Sequence, residues 1–165
     1  MNIGQNILKK CAGSTIALIA GEPNSISSEI IFKFWKLKKK FYNKPIVIIG
    51  NKNLLEIQKK KLGYKISLQE IDAEMKNNFF NTKKIPIINV KYNQKIPFKR
   101  ISNNSSKYIL KCFDVALDLI KKKKVLGLVN CPVSKENLFK KKYQGITEYL
   151  AQKIGCEGNE VMLLY

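Results

Sequence analysis

Residues 15–35, TIALIAGEPNSISSEIIFKFW, change character at Gly21. Thr15 to Ala20 is a short apolar run rich in Ile and Leu, the pattern of a strand buried on both faces. Gly21 permits a tight exit, Pro23 stiffens it, and Ser27 or Ser28 can cap a helix beginning near Glu29. Ile30, Ile31, Phe34, Trp35 and Leu37 then mark an apolar helical pattern. Strand, turn and helix in this order form one unit of an α/β fold.

The unit repeats along the chain. Pro45–Ile49, Ile85–Val90, Val125–Val129 and Val161–Tyr165 are further apolar runs that read as interior parallel strands. Leu54, Leu55, Ile57 and Leu62 mark a second helix, with Asn53 as its cap and Gly63 as its stop. A longer one follows Ser105 and Ser106, with Tyr108, Ile109, Cys112, Phe113, Ala116, Leu119 and Ile120 on one stripe. Such alternation predicts right-handed crossovers and a mainly parallel sheet with helices on both faces. Val161–Tyr165 reads as a buried strand with no turn, cap or polar tail after it, and an exposed apolar edge invites aggregation. The expectation is a truncated chain, or half of a larger fold.

At 165 residues and 45% hydrophobic composition the chain can form one domain with a real core, and no apolar run reaches the length of a membrane span. Lys9 and Lys10 precede the apolar stretch Cys11–Ala20 as in a short signal peptide, but Gly13, Ser14 and Thr15 interrupt it. It reads as the first core strand, which places the protein in the cytoplasm. Cys11, Cys112, Cys131 and Cys156 form no CxxC pair, so reduced and mostly buried thiols are expected.

A net charge of +19 raises a noncatalytic basic module for nucleic acid or anionic surfaces as the alternative function. Two features weigh against it. Arg100 is the only arginine, so bidentate forks for bases and phosphates are nearly absent. The lysines cluster in runs, 38–40, 59–61, 121–124 and 140–142, near the ends of helical patterns, where they complement the macrodipole.

Ligands of parallel sheets bind beyond the carboxyl ends of strands, which selects Gly21–Glu29 and Asn130–Thr147. The first loop lacks a dinucleotide fingerprint and a Walker lysine, although bare amides at its helix start can hold an anion. Glu22 is its one residue with chemical potential. In the second, Pro132 ends the strand and Ser134 can cap a short helix, Lys135–Phe139, which sets the Lys135 charge near the ligand edge. Gly145 allows close backbone approach, and Thr147 can cap a helix, Glu148–Ile154, and offer its hydroxyl to a ligand. The plainer reading makes Ser134 and Thr147 ordinary caps and Lys135 a solvated surface charge.

Taken together, GEPNSISSE, LVNCPVSKENL and YQGITEYLA followed by VMLL resemble, in order and spacing, the N-terminal half of 4-hydroxythreonine-4-phosphate dehydrogenase of pyridoxal phosphate biosynthesis. The resemblance runs from about Ile16 to Leu164. It implies a homodimeric α/β enzyme related in fold to isocitrate and isopropylmalate dehydrogenases. It also implies NAD and a divalent metal, used to oxidise and decarboxylate a small phosphorylated hydroxy-amino acid. By position, Thr147 matches the threonine of the family's Gly-His-Thr-Glu motif, whose histidine and threonine contact substrate, and Ile146 stands at the histidine's place. Ser25 and Ser27 replace glycines usual in the first motif.

The chain contains no histidine. The family's three metal-binding histidines belong to its C-terminal half, so residues 1–165 read as the N-terminal portion without the metal-binding half. This chain alone is expected to bind no catalytic metal and to lack dehydrogenase activity. The substrate-side residues are Thr147 and Lys135, with Ile146 at the family's histidine position, then Ser134 and Glu22.

Overall fold

The computed structural model describes residues 15–41, 44–75 and 83–161. Five parallel strands form one sheet: β1 (Ile16–Ile19), β2 (Ile46–Gly50), β3 (Leu68–Glu70), β4 (Ile85–Asn89) and β5 (Gly127–Asn130), in the order β3-β4-β2-β1-β5. The helices are α1 (Ser27–Phe41), α2 (Lys52–Lys61), α3 (Ser106–Lys121), α4 (Lys135–Phe139) and α5 (Ile146–Ile154). A single 3-10 turn, Asn103–Ser105, leads into α3.

Successive strand side chains point to opposite faces, so each apolar run feeds two cores. Ala17, Ile19, Val47, Ile49 and Ile88 pack with α3, α4 and Tyr149 of α5. Leu18, Ile46, Ile48, Ile85 and Ile87 pack with Ile31 and Phe32 of α1 and Leu55 of α2. This is the α/β layering the sequence predicts. β2 is buried along its whole length, as the central strand should be.

Four details differ from the sequence reading. β3 escapes detection because it is three residues long with one buried side chain, Leu68. The cap of α2 is Asn51, not Asn53: the Asn51 side chain accepts the Leu54 amide at 2.9 Å and donates to the Val90 carbonyl, also at 2.9 Å. Two of its bonds thus reach tertiary partners, since the Asn51 amide also donates to the Tyr108 hydroxyl at 2.8 Å. β5 begins at Gly127 and is not an interior strand: it borders the described sheet, with Val129 54% exposed. Finally, Ser27 and Ser28 lie in the first turn of α1 and do not precede it. The strand expected at Val161–Tyr165 and Cys11 lie outside the described residues, except that Val161 itself is exposed coil.

Burial pushes the Cys112 thiol up to about 12 and the Cys131 thiol to about 11, despite a hydrogen bond between Cys112 and Tyr108 that acts the other way. A protonated, shielded thiol is a poor nucleophile. Cys156 is exposed, a departure from the expected burial. Brief alkylation in mildly alkaline buffer is therefore expected to modify Cys156 and to spare Cys112 and Cys131 until denaturant is added. Peptide mass spectrometry reads the order, and early labelling of Cys112 would contradict the packing of α3 on the sheet.

Candidate functional site

The carboxyl ends of β1 and β5 bring the two selected loops together. Gly21 leaves β1 with φ +72, and a Cβ placed there would lie 2.7 Å from the Pro132 carbonyl oxygen. Only a residue without a side chain lets the backbones meet this closely in that conformation. The Glu22 amide and the Ser27 hydroxyl both donate to the Pro132 carbonyl, at 2.9 and 3.2 Å. Segments 105 residues apart in sequence are thereby stapled at one rim.

Glu22 is 1% exposed. Its Oε2 accepts the Ser105 hydroxyl at 2.8 Å, and its Oε1 accepts the Asn24 amide at 3.2 Å. A buried carboxylate so engaged ties the loop to the start of α3 and does not project into open space. Ser106 completes the tie by donating from its hydroxyl to the Asn137 carbonyl of α4 at 2.8 Å. The rim therefore runs from Glu22 through Ser105 and Ser106 to α4.

Four of the loop's amides are engaged. Besides Glu22 and Asn24, the Ser25 amide donates to the Glu22 carbonyl at 3.3 Å, and the Ser27 amide to the Ser25 hydroxyl at 3.2 Å. The serines at 25 and 27 supply hydroxyls that close the turn on itself, which engages the Ser25 and Ser27 amides at the entrance to α1.

Ser134 caps α4 as expected, accepting the Asn137 amide at 3.5 Å and its side-chain amide at 2.7 Å. Lys135 is the first residue of that helix and is exposed at the rim. Thr147 is a correction. α5 starts at Ile146 with Gly145 as its cap residue, in extended backbone, so Thr147 lies inside the first turn and caps nothing. Thr147 is exposed, while Ile146 packs partly buried against the core under α3. Among the described residues, Thr147 makes no hydrogen bond to Glu22, Ser134 or Lys135; α5 is held instead by Tyr149 against Phe113 and Phe139.

Three groups that sequence reasoning did not select are built into this region. Ser105, read only as a helix boundary, is the partner of Glu22. Glu148 folds back over Gly145, and its Oε2 is buried with no hydrogen-bond partner among the described residues. Tyr92, whose phenol is pushed up by burial and then by the Glu22 carboxylate, lies beside the first loop and stacks on Tyr108 with ring centroids 4.6 Å apart. The Gly-x-Thr-Glu spacing is a signal for Glu148; none points to Ser105 or Tyr92.

A metal is not supported by these side chains. The described residues hold no group of three or more Cys, Asp and Glu placed to bind one, and the sequence supplies no imidazole. An apolar hollow of about 420 Å³ reaches the same β5 exit, lined by Ile16, Ile30, Phe34, Val129, Cys131 and Pro132 among others, and offers little to orient a polar substrate. No helix of the described residues is long and apolar enough to cross a membrane.

The family model described as pyridoxal phosphate biosynthetic protein PdxA matches residues 42–165. A 4-hydroxythreonine-4-phosphate dehydrogenase of Sulfurihydrogenibium sp. is 30% identical over 152 residues, which span 90% of this chain and 45% of the relative. Among solved structures, the 4-hydroxythreonine-4-phosphate dehydrogenase of Klebsiella pneumoniae superposes with a TM-score of 0.70 at 25% identity, covering 84% of this chain and 44% of that one. The one from Burkholderia phymatum reaches 0.77 at 22% identity, a likeness of fold, over 87% and 44%. The chain thus spans about 45% of the length of the curated relatives it matches.

Proposed function

Since this chain belongs to the PdxA family of pyridoxal phosphate biosynthetic proteins, we propose that its rim is the substrate-gripping wall of an NAD-dependent dehydrogenase acting on 4-hydroxythreonine 4-phosphate. The reaction removes a hydride from the hydroxyl-bearing carbon, and the resulting 3-oxo acid loses carbon dioxide. A homodimer is part of the same reading. The single observation that carries it is the pair of hydrogen bonds accepted by the Pro132 carbonyl from Glu22 and Ser27, which joins the two loops whose residues match the family's motifs.

In this reading Lys135 supplies a point charge to an anionic oxygen of the substrate, free to reorient on its flexible stem. Thr147 offers a hydroxyl from the first turn of α5, the positive end of the helix dipole. Ser134 acts through Lys135, because its cap fixes the helix start that carries the lysine. Glu22 has the same positioning role toward the Pro132 loop. Ile146 cannot exchange a proton, so no acid–base step is assigned to that position. NAD supplies the hydride acceptor when bound, and the first loop, GEPNSISSE, lacks the glycine-rich fingerprint of a pyrophosphate cradle. A divalent metal would supply Lewis-acid chemistry in the family reaction; the described donor set does not fit it, and no step is derived through it.

Lys135→Ala is expected to weaken binding of 4-hydroxythreonine 4-phosphate by about 10- to 100-fold, the worth of a hydrogen bond to a charged group. Thr147→Ala should cost less, about tenfold or below, because its hydroxyl is neutral. Both residues are exposed, so urea midpoints should stay within error of the parent. Calorimetric titration gives the affinities. Unaltered binding in both variants removes them from the site, and substrate-dependent NADH formation by the 165-residue chain would overturn the expectation that this chain alone lacks dehydrogenase activity.

A further inference from the structure

Beside the rim, and outside every residue assigned above to substrate, lies a polar cavity of about 480 Å³. Lys99 and Arg100 line it together with Asn24, Gln94, Ser102 and Asn104. No carboxylate is among its lining residues, and neither cation takes part in the ion pairs of the described residues. In a chain where other lysines pair with acids on helix surfaces, the only arginine stands next to a lysine at the mouth of a hollow rich in hydrogen-bond donors.

The cavity is built, not incidental. Asn24 and Gln94 form a reciprocal amide pair across 70 residues: Gln94 Nε2 donates to Asn24 Oδ1 at 2.7 Å, and Asn24 Nδ2 donates to Gln94 Oε1 at 3.3 Å. Gln94 is 9% exposed and is held further by the Tyr92 hydroxyl at 3.0 Å and the Ile96 carbonyl at 2.8 Å. The Lys99 amide donates to the same Asn24 oxygen at 2.9 Å, which fixes the backbone that carries both cations. Just before it, Phe98 has φ +56, a left-handed conformation that costs a bulky residue energy and persists only where its surroundings enforce it. Asn24 belongs to the GEPNSISSE loop, so the clasp fastens segment 92–104 to the loop that carries Glu22.

We propose that this cavity is a phosphate-binding subsite, in which Lys99 and Arg100 neutralise the anion and the amide clasp holds them in place. Arginine presents planar paired donors that match phosphate oxygens, and lysine adds a compact charge. The site rests on the geometry alone. Only the owner of the phosphate, substrate ester or cofactor pyrophosphate, rests on the function proposed above.

The test titrates inorganic phosphate into the full chain at low salt and follows backbone amide shifts by nuclear magnetic resonance. The double variant Lys99→Gln/Arg100→Gln is compared with Lys60→Gln/Lys61→Gln, which removes the same charge from the far end of α2. The first pair should raise Kd about tenfold or more, with shifts centred on Asn24, Gln94 and Lys99, and the second about twofold or less. Equal losses in both pairs would mean diffuse attraction to a +19 surface, and no loss in the first would mean no site; either result overturns the proposal. Repeating the titration with O-phospho-L-threonine and with NAD identifies the owner, as the ligand whose affinity falls in the first pair. Should Lys135→Ala leave substrate binding intact while the Lys99 and Arg100 pair abolishes phosphate binding, the rim reading fails and this subsite stands.

Discussion

Gly21→Ala is expected to lower the stability of this protein by about 2–5 kcal/mol, combining about 1–2 for a left-handed non-glycine residue with about 1–3 for forced backbone movement. The added carbon would meet the Pro132 and Cys131 carbonyl oxygens at 2.7 and 2.8 Å, and both belong to backbone that has no flexible end to swing away. The natural control is Gly63→Ala. Gly63 has nearly the same φ, +71, but nothing within 4 Å of its added carbon, so only the conformational cost of about 1–2 kcal/mol applies. Urea denaturation of the two variants separates the effects. Equal losses would show that the two loops do not meet as closely as described. Because the rim is the meeting of those loops, Gly21→Ala should weaken phosphorylated ligands as well, whereas Gly63→Ala should not.

Phe113→Ala is expected to cost about 3–5 kcal/mol, the range for emptying a fully buried aromatic site. Phe113 is completely buried on the core face of α3 and meets Tyr149 edge to face with ring centroids 5.8 Å apart. Tyr149 in turn contacts Phe139 and Tyr143, so one ring supports the whole cluster joining α3, α4 and α5. Phe113→Leu keeps most of the volume and should cost about 1.5 kcal/mol or less. A loss below that for the alanine variant would mean that α5 does not rest on α3. Near-ultraviolet dichroism of the tyrosines gives a second readout that tracks the cluster itself.

The layering was legible because burial on both faces leaves an unmistakable apolar run: Ile46–Ile49 and Ile85–Ile88 could hardly be anything but strands. Ser134 and Lys135 were equally legible, since a serine followed by a short apolar turn has one sensible local structure. What escaped was decided by tertiary contact. Asn53 reads as the cap in sequence, and Asn51 takes the role where it also reaches Val90 and Tyr108. Thr147 failed as a cap because Gly145 could take an extended backbone two residues earlier and let the helix start sooner. Glu22 stands out in the sequence as the first loop's one residue with chemical potential, but its bond to Ser105, 83 residues away, leaves no sequence signal. Asn24 and Gln94 were invisible for the same reason: amides have no periodicity, and their meeting depends on a loop that folds across the sheet edge.

The staple between Ser27 and Pro132 spans 105 residues, and β5 likewise joins β1 only after the intervening crossovers have formed. Contacts of such sequence separation form late, because chain closure has to be met before they stabilise anything. A nascent or partly collapsed molecule can therefore own its first two strands and helices without owning a ligand pocket. On the function proposed above, affinity for a phosphorylated ligand would report that β5 has docked on β1.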